Sequence, residues 1–208
     1  MAKFKQLATP TARQNSFILA LIFLIIIGIF SIQGVNGQVT KPGLPKEKQT
    51  ILGLYVTAKE AYEKWINDQD NLKILDVRTP EEYIFIGHPA MAWNIPFLTL
   101  TMEWDSVKKH FSMKPNPDFI PRVKQIATTS ETILVICRSG VRSAMAVNKL
   151  AEAGYANVYC ITDGVEGDLV SDPESVFHGK RMKNGWKNSG APWTYSIDPK
   201  LMLIPDIR

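Results

Sequence analysis

The 208-residue sequence predicts an α/β fold with a central parallel sheet and helices on both faces. Three observations carry this expectation. Short runs rich in branched apolar residues at 72–77, 133–137 and 158–162 suit strands covered on both sides. Helix-opening signals stand between these runs, so strands and helices alternate along the chain. One run ends at Cys137 and passes through a polar turn into a helical pattern, the strand-loop-helix order of a parallel sheet. With 45% hydrophobic residues and no internal repeat, the chain has room for one well-cored domain plus extras.

The extras begin at the N-terminus. Lys3, Lys5 and Arg13 precede an uncharged apolar run at 17–30, followed by Ser31-Ile32-Gln33-Gly34-Val35-Asn36-Gly37. Residues 1–37 therefore read as a signal peptide or N-terminal membrane anchor, with Val35 and Gly37 suiting cleavage before Gln38. In either case the positive flank stays inside and the domain is exported, which predicts a periplasmic protein, soluble or anchored. Setting aside these three cations lowers the formal charge from +4 to +1, so the high pI implies no nucleic-acid affinity. Residues 38–50, with Pro42, Gly43, Pro45 and several lysines, read as a solvated linker.

Residues 51–195 form the expected domain. Thr57 and Glu60 make a capping box that opens a helix carrying Ala61, Trp65 and Ile66. The strand at 72–77 follows. Thr79, Pro80 and Glu82 supply an N-cap, a first-turn proline and a capping-box acid for the next helix. A short strand is expected at 93–95, a loop at Lys114-Pro115-Asn116-Pro117 and a helix at 119–126. The helix after the Cys137 turn starts at Gly140 or Val141, ends at Glu152 and is closed by Gly154. Trp65, Phe97, Trp104 and Phe111 are expected in the core or its packing. The tail at 196–208 is expected to wrap the surface.

The most informative stretch is Cys137-Arg138-Ser139-Gly140-Val141-Arg142-Ser143. In such a turn, backbone N–H groups converge while the first helical turn adds unpaired donors and the positive end of its dipole. An anion is favoured there. Arg138 and Arg142 flank the thiol, which should lose its proton more readily than a free cysteine. Asp76 ends another strand at the same sheet edge, where open α/β sheets bind ligands. It is expected to pair with a loop arginine and Arg78 with Glu82, both as structural clamps. His88, set in a turn, suits a hydrogen-bonding role better than that of a general base. Cys160 lies mid-strand and reads as a packing residue rather than a redox partner of Cys137. The three histidines are scattered, so no metal or organic cofactor is expected.

This loop closely resembles the active-site loop of rhodanese-like sulfurtransferases. Ile74-Leu75-Asp76-Val77-Arg78-Thr79-Pro80-Glu81-Glu82-Tyr83 is similar to that family's first signature. Gly87-His88 with Asn94-Ile95-Pro96 resembles its second. Asn157-Val158-Tyr159 leading to Asp163-Gly164-Val165-Glu166-Gly167 resembles the strand and turn after its catalytic helix. Gly185-Trp186 and Gly190-Ala191-Pro192-Trp193 resemble its closing motif. The resemblance implies a single-domain, rhodanese-like fold and a persulfide mechanism on Cys137. Arg138, Ser139, Gly140, Val141 and Arg142 would bind the substrate, supported by Asp76 and Ser143. Its implied partners are a small anionic sulfur donor and a thiol, cyanide or protein acceptor, with membrane contact only if the N-terminal segment is uncleaved. A sulfur-carrier or protein-interaction module is the alternative. Phosphatase or arsenate-reductase chemistry is disfavoured, because those phosphatases place an arginine six positions after the cysteine and Ser143 stands there. Two departures stand out: Pro89-Ala90-Met91-Ala92-Trp93 in the turn motif, and an insertion at 168–184 carrying His178, Lys180, Arg181 and Lys183. The insertion is expected either to cover the site as a flap or to run as a solvated excursion.

Overall fold

The structure, a computed structural model, describes residues 41–204. The expected signal or anchor at 1–37 lies outside them.

Nine strands are present among the described residues: β1 (Tyr55–Val56), β2 (Leu72–Asp76), β3 (His88–Pro89), β4 (Trp93–Asn94), β5 (Leu98–Asp105), β6 (His110–Pro115), β7 (Thr132–Ile136), β8 (Val158–Ile161) and β9 (Trp193–Thr194). The α-helices are α1 (Ala58–Asn67), α2 (Pro80–Ile86), α3 (Phe119–Ile126) and α4 (Val141–Glu152). Five strands form a parallel sheet in the order β1-β8-β7-β2-β4. The alternation of side chains along each strand divides the core in two. Ile133 and Val135 of β7, Leu75 of β2 and Cys160 of β8 face α3 and α4, where they meet Phe119, Val123, Val147 and Leu150. Leu134, Ile136, Ile74 and Ile161 face the other way, onto Ala58 and Ala61 of α1 and onto Trp186. The expected α/β fold with helices on both faces is thus observed. Both capping boxes form as the sequence predicts, Thr57 with Glu60 and Thr79 with Glu82.

Three expectations are corrected. Residues 98–115 form an antiparallel hairpin, so Lys114 and Pro115 end a strand instead of lying in a loop. Trp104 and Phe111 oppose each other across it with ring centroids 5.3 Å apart. They are 56% and 41% exposed, not core. The supposed tether is docked at its C-terminal end. Lys46–Lys48 form a 3₁₀ turn, Gln49 and Thr50 are buried, and the Gln49 amide bonds the carbonyls of Lys41 and Leu44. In the tail, a 3₁₀ turn at Pro199–Met202 packs Met202 inward, and Arg122 donates to the Met202 carbonyl at 2.6 Å.

Candidate active site

Cys137 follows β7 directly at the C-terminal edge of the sheet and is 1% exposed. Two glycines shape the loop around it. Gly140 has φ 101° and caps α4, and its backbone N–H donates to Cys137 Sγ at 3.1 Å. A β-carbon on Gly140 would collide with the Thr162 carbonyl, so this left-handed turn excludes any larger residue. Gly164, at φ 63°, presses on the loop from the turn after β8, where a β-carbon would lie 2.6 Å from the Cys137 carbonyl oxygen. From the same turn, Val165 and Glu166 donate N–H bonds to the carbonyls of Cys137 and Arg138 at 2.8 and 2.9 Å. These bonds draw the loop's acceptors away from its concave side, which suits the binding of negative charge.

The ion pairs differ from those expected. Asp76 pairs with Arg78, two residues on, through Nε at 3.0 Å and Nη2 at 2.6 Å; both side chains are fully buried. Residues i and i+2 of an extended chain lie on one side, which brings this pair together more readily than a partner across the sheet edge. Arg78 also donates to the Gly87 carbonyl. Burial disfavours its charge, but the Asp76 carboxylate prevails and raises its pKa. Glu82 instead grips Arg142 with two bonds of 2.6 Å. Burial alone would raise the Glu82 pKa; the Arg142 bonds outweigh it and hold the carboxyl below its ordinary value. Arg142 is therefore committed to holding the loop, while Arg138 remains exposed beside the thiol.

Ser139 and Val141 are half-buried. Ser143 is fully buried in the first turn of α4, and its hydroxyl has no hydrogen-bond partner among the described residues. Cys160 is buried under the loop, with its Sγ 3.7 Å from the Gly140 carbonyl oxygen, and burial raises its pKa. Both cysteines are free thiols. His88 is buried, stacks on Tyr83 at 3.5 Å and bonds the Tyr83 carbonyl through Nδ1; burial lowers its pKa. It holds the turn and stands with β3, not with the thiol loop.

Sequence reasoning did not single out Asp163, although it anchors three segments. Its carboxylate accepts the Ala58 N–H at 2.7 Å and the Gly185 N–H at 2.9 Å, fixing α1 and the closing motif against the turn that cradles Cys137. Its position in the Asp163-Gly164 turn was the available signal, since Asp and Gly favour turns. Within the insertion, Asp168 and Asn184 bond each other at its base and Arg181 donates to the Gly167 carbonyl. His178 bonds the Asp172 carbonyl, whereas Lys180 and Lys183 are exposed. The insertion's outer part is largely exposed, as a solvated excursion would be.

A parallel α/β domain that sets a buried thiol in a backbone cradle at the sheet's C-terminal edge defines the class of domain. The comparisons name it. The Rhodanese-like domain matches residues 57–168, and the chain belongs to that family. The uncharacterized RP600 homolog of Rickettsia rickettsii is 30% identical over 142 residues, covering 67% of this chain and 96% of its own length. Thiosulfate sulfurtransferase 16, chloroplastic, of Arabidopsis thaliana is 37% identical over 92 residues, covering 44% and 69%. The crystal structure of Rv0390 from M. tuberculosis aligns with a TM-score of 0.51 at 25% identity, covering 68% of this chain and 96% of that one.

Proposed function

We propose that the protein is a sulfurtransferase that moves a sulfane sulfur from a donor such as thiosulfate to a thiophilic acceptor through a persulfide on Cys137. The observation that carries this reading is the Gly140 N–H bonded to Cys137 Sγ inside a loop whose first two carbonyls are turned away. The Cys137 thiolate attacks the outer sulfur of thiosulfate, the donor's S–S bond breaks, and its electron pair leaves with sulfite. The persulfide keeps one negative charge, stabilised by the cradle and the dipole of α4. Exposed Arg138 attracts the donor's sulfonate. A nucleophile such as cyanide or a thiolate then attacks the outer sulfur and restores the Cys137 thiolate. The buried Ser143 hydroxyl offers a further donor in the same helical turn.

Intact mass of the purified protein after mild reduction and thiosulfate treatment tests this. A gain of one sulfur atom, discharged by cyanide and missing in Cys137→Ser, is expected. No gain in a wild type whose thiol is free would overturn thiosulfate as donor. A second reading, a carrier that receives and delivers sulfur only to a protein partner, draws on the exposed Leu100, Met102, Trp104 and Val107 of the hairpin. Sulfur loading from a persulfidated protein but not from thiosulfate would select it. We further propose export directed by residues 1–37. Protease accessibility of the domain in spheroplasts is the expected sign, and protection throughout would exclude it.

A further inference from the structure

One charged side chain reaches the thiol loop from outside the family match, which begins at residue 57. Lys48 stands at the end of the 3₁₀ turn that composition alone marks as linker. Its side chain is 11% exposed. Its ammonium donates to the Thr162 carbonyl at 2.9 Å and to Asp168 Oδ1 at 3.2 Å. Its stem lies against Gly140: a β-carbon there would sit 3.2 Å from Lys48 Cδ. The Thr162 carbonyl is the group against which Gly140 is pressed, and Gly140 supplies the N–H bonded to Cys137 Sγ. Asp168, at the base of the insertion, is held below its ordinary carboxylate value because its bonds to Asn184 and the charge of Lys48 outweigh burial.

We propose that Lys48 is a positioning residue for the Cys137 loop, its ammonium fixing the Thr162 carbonyl on which Gly140 rests. The strand-end carbonyl has left the sheet ladder and accepts a charge-assisted bond from a side chain with little access to water, which is stronger than a neutral one. The stem fills the space beside Gly140 that no side chain of its own can occupy. Removal of the ammonium frees the Thr162 carbonyl, lets Gly140 turn, and misaligns its N–H from the sulfur. The segment leading from the N-terminus into the domain is thereby coupled to the reactive thiol. The consequence for turnover rests on the sulfurtransferase reading; the consequence for the thiol does not.

The test is alkylation of Cys137 by iodoacetamide in the full chain, followed on the Cys137 peptide by mass spectrometry, beside thiosulfate turnover. Lys48→Met keeps the stem and loses the charge. It is expected to fold, to alkylate about tenfold more slowly and to lower kcat with little change in KM, since small misplacements of a reacting group cost that much or more. Lys48→Arg is expected to restore both rates to within about threefold, because its guanidinium keeps the charge and the donors. Wild-type alkylation in Lys48→Met, or an arginine variant no better than methionine, overturns the proposal. Should Lys48→Met fail to fold, Lys48→Gln removes the charge while keeping a polar side chain; slower alkylation supports the proposal and a wild-type rate overturns it. Alkylation needs no sulfur donor. A wild type that takes no sulfur from thiosulfate while Lys48→Met alkylates slowly would overturn thiosulfate as donor and leave the positioning role standing.

Discussion

At the residue scale, the site depends on which arginine meets which carboxylate. The residue types around the thiol were legible in the sequence because Cys137, the two glycines and the arginines fall at recognisable spacings. Their pairing was not, since Glu82 and Arg142 meet only when α2 and α4 come together at the sheet edge. The difference has consequences. Glu82→Gln leaves Arg142 with a neutral partner and is expected to cost about 2 kcal/mol, the worth of a charge-assisted bond, read by urea unfolding. The pH dependence follows from the sign of the shift. A carboxylate with a lowered folded pKa contributes stability above its unfolded value and loses it as pH falls through the folded one. The stability difference between wild type and Glu82→Gln should therefore hold at pH 6 and shrink below about pH 4. The Asp76 pair is more severe: Arg78→Met leaves a fully buried carboxylate without its partner, at an expected cost of about 3–5 kcal/mol. Comparable stability of Arg78→Met and wild type would refute this account of the pair.

At the element scale, the helix starts were read from the sequence and the hairpin was missed. Thr57-x-x-Glu60 and Thr79-x-x-Glu82 announce α1 and α2 because the cap and the acid satisfy free N–H groups within four residues. Residues 98–105 carry a different signature, which the sequence reading passed over: Leu98, Leu100, Met102 and Trp104 alternate with Thr99, Thr101, Glu103 and Asp105 at the period of a strand. There Trp104 and Phe111 looked like core, since an aromatic residue in an isolated sequence carries no sign of the face it will occupy. They pair across a two-stranded ribbon, which is marginal in water without further cover. The helix caps also differ in what they reach. Thr57→Ala and Thr79→Ala are each expected to lower stability by about 1 kcal/mol. Only Thr79→Ala should also slow Cys137 alkylation, because α2 carries the Glu82 that holds Arg142. Equal effects of the two variants on the thiol would contradict that route.

At the scale of the whole molecule, the family's 57–168 boundary does not coincide with the physical boundary of the folded unit. Composition made residues 38–50 look solvated because prolines, lysines and a glycine suit a linker, and no periodicity reveals that a short polar segment will dock. Yet Thr50 is 0% exposed, Tyr55 donates its hydroxyl to Gln49, and the Ile51 N–H bonds Asn148 of α4. At the other end, Met202 and Leu203 pack at the core's margin, and Arg122 holds the Met202 carbonyl. A chain beginning at residue 51 loses the buried Gln49 and Thr50, the Lys48 contacts and the covering of α4. Loss of hydrogen bonds at about 1 kcal/mol each, together with the exposed surface, predicts a fall of roughly 3 kcal/mol. For a domain of this size that corresponds to about 6–12 °C in Tm. A chain beginning at residue 41 keeps every one of these contacts and should melt within about 2 °C of the longer protein. Differential scanning calorimetry of the two truncations decides between a domain that begins at residue 51 and one that begins at the docked segment. Equal melting temperatures would return residues 41–50 to the role of a tether.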